Sequence, residues 1–130
     1  MAVAALLTLG GCSLGADEEP RQAVGPLAEI AATVQRLERA TAAHDWPTIC
    51  RDLFTQAARE RAGGRDCARL LGTAAAGVLR PAIEIRGIQV REGGRARVEI
   101  RTRSQGQEPA SDALELRRER GEWRVEALAR

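Results

Sequence analysis

Arg95-Ala96-Arg97-Val98-Glu99-Ile100-Arg101-Thr102 and, closer to the C-terminus, Gly121-Glu122-Trp123-Arg124-Val125-Glu126-Ala127-Leu128 decide the fold. In the first stretch Ala96, Val98 and Ile100 fall on every second position and Arg97, Glu99 and Arg101 alternate with them, the period of a half-buried antiparallel strand. Trp123, Val125 and Ala127 repeat the pattern against Arg124 and Glu126. A sheet of this kind has one face to bury and one to wet, so other elements must cover the greasy side.

Working outward, Ala82 to Arg91 carries Ile83 and Ile85 on one parity and Ile88 and Val90 on the other, with Gly87 between. A phase slip at glycine predicts a β-bulge or sharp bend. Glu92-Gly93-Gly94 turns this strand into the one at 95–103, and Ser104 to Ala110 is a polar loop. Leu114 and Leu116 mark a third strand, and Arg120-Gly121 a tight turn into the last, 122–128. Three successive antiparallel pairings give a four-stranded meander.

Upstream, Leu27, Ile30, Ala31, Val34 and Leu37 form the stripe of an amphipathic helix, with Pro26 in its first turn and an end near Ala43. Asp45 is placed to cap a short second helix with Ile49, Cys50, Leu53 and Phe54 on its inner side. Gly63-Gly64 interrupts the chain, and Asp66 opens a third helix carrying Cys67, Leu70, Leu71, Ala74 and Val78 inward until Pro81 ends it. Gly72 and Gly77 weaken that helix by up to about 1 kcal/mol each relative to Ala, and permit close packing. The fold class is therefore α+β, helices packed on a curved antiparallel meander.

The chain has 130 residues, a net charge of +2, twenty basic residues that are all arginine, and only Trp46, Trp123 and Phe54 as aromatics. One small core of aliphatics around two or three large anchors is what such a chain can build. No run of basic residues interleaved with aromatics occurs, so nucleic acid is not an expected partner.

Ala2 to Leu9 is an uncharged apolar run too short to span a bilayer but long enough for the core of an export signal. It closes on Leu9-Gly10-Gly11-Cys12, which resembles the bacterial lipoprotein box. The resemblance implies a signal peptide at 1–11, lipid on Cys12, a flexible tether through residue 25, and a folded domain at 26–130 held at the extracytoplasmic face of the cell membrane. No Arg or Lys precedes the apolar run, so the natural start is expected upstream of Met1. With Cys12 lipidated, Cys50 and Cys67 form an even pair in an oxidising compartment, each on the apolar face of a short helix. A disulfide is expected, contributing roughly 3 kcal/mol in the chain-entropy model. Two free buried thiols are the alternative, and a metal site would need more ligands than the single histidine, His44, can add.

The order of elements, with Ala43-His44-Asp45-Trp46 before the second helix and Gly121-Glu122-Trp123-Arg124-Val125 in the last strand, resembles the NTF2-like superfamily. More narrowly it looks like the small secreted or lipid-anchored members common in actinobacteria. That resemblance implies a cone closed by a bent sheet, and homodimerisation through the sheet. Ketosteroid isomerases of the superfamily use an aspartate base and a tyrosine; this chain has no tyrosine. The inner parity of the strands is aliphatic, and Glu99, Glu115 and Glu126 share the parity of the arginines. His44 is the one candidate acid or base, and a histidine at a helix C-terminus ordinarily complements the helix dipole. No Gly-rich phosphate loop, metal motif or Ser-His-Asp set can be assembled, so no cofactor, metal or catalytic residue is expected. The leading expectation is a non-catalytic interaction module of the cell envelope. The alternative is a binder of a small apolar ligand lined by Trp46, Phe54, Val98, Ile100, Leu114, Leu116 and Trp123. An enzyme of the ketosteroid isomerase type comes third. A pocket of roughly 300 Å³ or more would favour the ligand, a packed interior the module.

Overall fold

Proline lacks the N–H that a first helical turn leaves unpaired and has its φ already set, and in the computed structural model, which describes residues 25–129, helix α1 begins at Pro26 and runs Pro26–Ala42. Its inner stripe is Ile30 and Val34, both essentially inaccessible. Beside them the Thr33 hydroxyl lies 3.1 Å from the Trp123 carbonyl, tying the helix to the sheet. His44 takes a left-handed φ of 55° as the chain leaves α1.

The Asp45 carboxylate accepts from the Thr48 backbone N–H at 3.3 Å and its hydroxyl at 2.7 Å, opening α2 (Trp46–Thr48). The helix passes directly into a π-helical turn, Ile49–Leu53, whose wider winding buries Ile49, Cys50 and Leu53 together. A helix the sequence pattern did not suggest follows. In α3 (Gln56–Arg61) the buried Thr55 caps the first turn, its hydroxyl accepting from the Ala58 N–H at 3.0 Å. After a 3₁₀ turn at Gly64–Asp66 comes α4, Cys67–Ala74.

Three details of α4 differ from expectation. It stops at Ala74 rather than Pro81, and Asp66 occupies the cap position without a side-chain hydrogen bond. Leu70 is 42% exposed rather than inward. Beyond Ala74 further helix would have little to pack on: a Cβ placed at Gly77 would meet nothing within 4 Å.

Strands β1 (Ala82–Arg91), β2 (Arg95–Arg103), β3 (Ala110–Glu119) and β4 (Glu122–Ala129) form one antiparallel sheet in sequence order. The register slips between Ile85 and Gly87, as the change of parity predicts. Arg120 (φ 52°) and Gly121 (φ 79°) make the two-residue hairpin turn into β4, where both central residues need positive φ.

A second slip departs from the sequence reading. Val125 pairs with Leu116 but Ala127 with Glu115, so Glu126 is an extra residue on β4. Beyond it the parity inverts: Ala127 is exposed, and Leu128 lies opposite Leu114. The main core gathers Ile30 and Val34 with Ala96, Val98, Ile100, Leu114, Leu116, Trp123 and Val125; a smaller one joins Ala40, Ile49 and Leu53.

The free edge of β4 is covered by the helical arm. Phe54 bridges to Val125, the Thr55 N–H donates to the Val125 carbonyl at 3.0 Å, and the Gln56 N–H reaches the Glu119 carboxylate at 3.2 Å. Arg61 donates from its guanidinium to the Glu126 carbonyl.

Candidate functional site

Where the small helices meet the end of the sheet they leave a cleft of about 540 Å³, open to solvent on one side. Leu37 and Thr41 at the end of α1 form one border, and Trp46, Ile49 and Phe54 a second. Ala58, Arg61 and Ala62 at α3 with Leu71 and Ala75 at α4 form a third, and Leu114 with the consecutive residues Val125 to Leu128 the floor. The lining is overwhelmingly apolar. The Thr41 hydroxyl is engaged with the Leu37 carbonyl at 2.7 Å, so the ionisable side chains of the lining are Arg61 and Glu126.

Two constraints set the width of this cleft. A disulfide joins Cys50 and Cys67, which are 17 residues apart. Cys50 follows the lining residue Ile49 and Cys67 stands one helical turn before Leu71, so the bond clamps two walls together. This is the pairing expected from the sequence, and it leaves no free thiol at either position. The second constraint is Gly72: a Cβ there would lie 2.9 Å from Cδ1 of the Trp46 indole, so glycine lets α4 seat against the ring. The His44 imidazole stacks on the same indole, with ring centroids 5.4 Å apart and planes 16° from parallel. His44 is thus exposed at the end of α1 and outside the lining of the cleft.

Of the lining residues anticipated from the sequence, Trp46, Phe54 and Leu114 border the cleft. Val98, Ile100, Leu116 and Trp123 do not. They are buried in the main core, because Ile30 and Val34 of α1 fill the space above that part of the sheet. The bulge brings in a residue the parity had assigned to the outer face, Glu126. Its Oε1 lies 3.8 Å from a terminal guanidinium nitrogen of Arg61; the Arg61 side chain is 57% exposed and that of Glu126 27%. The sequence reading does not include the helix that carries Arg61; Thr55, a residue able to cap a helix, is the one signal that could have found it.

Other groups carry charge outside the cleft. On the outer sheet face Arg97 donates across the strands to Glu115 at 2.8 Å, a pairing of opposite signs that the strands suggest, and along its own strand to Glu99 at 3.0 Å. The hydrogen bonds to Glu99 and then Glu115 raise the Arg97 pKa. On the far side of the arm Arg51, Arg59, Arg120 and Arg124 surround a polar groove of about 290 Å³ with Asp52 and Glu119. There the hydrogen bond from Arg51 holds the Asp52 carboxyl below the usual aspartate range. Arg124 donates to the Arg51 carbonyl at 2.9 Å, satisfying an acceptor of the π-helical turn.

Among the described residues no group of three or more His, Cys, Asp or Glu is placed to hold a metal ion, and no helix is long and apolar enough to cross a membrane. Cys12, with the leader and tether assigned around it, lies outside the described residues.

No family model and no curated protein sequence matches the chain. Solved structures do. An NTF2-like protein of unknown function from Shewanella baltica superimposes with a TM-score of 0.58 at 17% identity, covering 78% of this chain and 89% of that one. The fold is NTF2-like. A SEC-C motif containing protein from Rhodopseudomonas palustris gives a TM-score of 0.52 at 22% identity over 75% of this chain and 74% of that one. In this NTF2-like domain the helices and bent meander form the cone, and the cleft is its mouth.

Proposed function

We propose that this chain is a lipid-anchored, extracytoplasmic NTF2-like domain that binds a small, mainly apolar molecule in the mouth of its cone. The observation that carries the reading is the cleft itself, about 540 Å³ of mostly aliphatic and aromatic lining, well inside the range of small-molecule sites. A domain with so few large side chains has kept Trp46, Phe54 and Leu128 around an unfilled space rather than using them to close it. Leu128 is 59% exposed there, apolar surface that an occupant would cover. The anchor is supported by Leu9-Gly10-Gly11-Cys12, and the Cys50–Cys67 bond agrees with an oxidising compartment. The reading is one of binding rather than turnover, since the charged pair of the lining sits at its rim.

Native mass spectrometry of protein released from membranes tests this directly: a retained small molecule is expected, lost on Trp46→Ala. Protein that carries nothing and takes up no neutral naphthylamine dye would remove the proposal. Replacing Cys12 by Ser should abolish the acyl mass and release the protein from membranes. The interaction module stands as a second reading because the outer sheet face holds fixed charges, Arg97 between Glu99 and Glu115. Crosslinking from that face to an envelope protein would favour it.

A further inference from the structure

Resting on the cleft being a ligand site, we infer that its occupant is a single-chain amphiphile with an acidic head, and that Arg61 selects the head. Hydrophobic walls give the body of the ligand. Leu37, Ile49, Phe54 and Leu71 offer nothing to hydrogen-bond, and each methylene buried among them adds about fourfold in affinity. Specificity must then come from the rim, where Arg61 and Glu126 stand.

Arg61 is built to receive an acid. One terminal nitrogen is fixed by the Glu126 backbone carbonyl. The other is 3.8 Å from the Glu126 carboxylate, too far for a hydrogen bond. Among the described residues neither that nitrogen nor Nε of Arg61 has a hydrogen-bond acceptor, so N–H donors on two sides of the guanidinium are open. Each can give a charge-assisted hydrogen bond to an oxygen of a carboxylate or a phosphate ester.

A cationic head is disfavoured by the same arrangement. Glu126 is the more buried partner of the pair and Arg61 the more exposed, so an approaching group meets the guanidinium first. An exposed ion pair of this length is weak, and an incoming acid can replace the Glu126 contact at little cost.

The test is displacement of a neutral naphthylamine dye from the full, oxidised chain by decanoate, decyl phosphate and decanol. The acids should bind about tenfold tighter than the alcohol. Arg61→Gln should erase that preference, bringing the acids to within about twofold of decanol. Glu126→Gln, which removes the competing carboxylate and keeps the side-chain shape, should tighten the acids several-fold. Whichever acid binds better names the head as carboxylate or phosphate. Equal binding of acid and alcohol, a preference that survives Arg61→Gln, or weaker acid binding by Glu126→Gln would overturn the assignment of the head and leave the cleft as a ligand site. Failure of the dye and every chain to bind would instead remove the cleft reading.

Discussion

The meander and the helical arm are built by opposite strategies. In the sheet, four strands of eight to ten residues pair along their whole length over one continuous core. In the arm, α2 has three residues, α3 six and α4 eight, all below the length at which a helix holds in water by itself. The arm therefore depends on single tertiary ties: the disulfide, the Thr55 cap, the Gly72 contact with Trp46, and the hydrogen bonds to β4. The contrast teaches that the scaffold resides in one half of the molecule, and that most of the cleft wall belongs to the half that can be altered one tie at a time.

Truncation of the sheet core should break the contrast by bringing both halves down together. Leu116 is 2% exposed at the centre of the main core, so Leu116→Ala is expected to cost about 4 kcal/mol in denaturant unfolding, with one cooperative transition. Removing the disulfide should sharpen the contrast. Cys50→Ala with Cys67→Ala is expected to cost about 3 kcal/mol, with amide exchange accelerated in 46–75 far more than in 82–129. Uniform acceleration would mean that the two halves are one unit.

Gly72→Ala tests a single tie. The added methyl collides with the Trp46 ring, and after the gain in helix propensity a net loss of about 1 kcal/mol is expected, with a shifted tryptophan emission and weaker dye uptake. The smallest effect belongs to pH. Asp52 has a folded pKa below its unfolded one because Arg51 donates to it. Its pairing therefore stabilises the fold above the ordinary aspartate value of about 3.9, and that contribution is lost as the pH falls through the lower folded value. The pair is solvent-exposed, so melting temperatures of wild type and Asp52→Asn should differ only slightly near neutrality and converge in acid.

The same division explains what was legible in the amino acids. Strand parity is a local, repeated signal, and the Gly87 slip and the Arg120-Gly121 turn announced themselves through glycine. The bulge at Glu126 had no such marker, since Val-Glu-Ala-Leu alternates acceptably in either register. The switch is visible only once Leu128 is placed opposite Leu114. Helix α3 has a single buried residue, Ala58, so there was no apolar stripe to read; its stability comes from Thr55 and from distant partners. The apolar pattern extends helix α4 too far because Leu70 and Val78 look like core residues until the neighbouring elements are in place. For the site, Trp46, Phe54 and Leu114 were readable as large apolar groups on inner faces. Arg61 and Glu126 were not: Arg61 stands on a helix with no apolar stripe, and Glu126 reaches the cleft through the bulge in β4.

The cover that the arm lays over β4 has a consequence for handling the protein. Backbone groups on Val125 and Glu126 that would otherwise be free to template another chain are already engaged by Thr55 and Arg61. That shield is fastened by a covalent bond sensitive to reductants. In a reducing buffer the border of the sheet should come undressed before the sheet itself melts, and clumping or fibre growth from this side should precede any loss of β-structure.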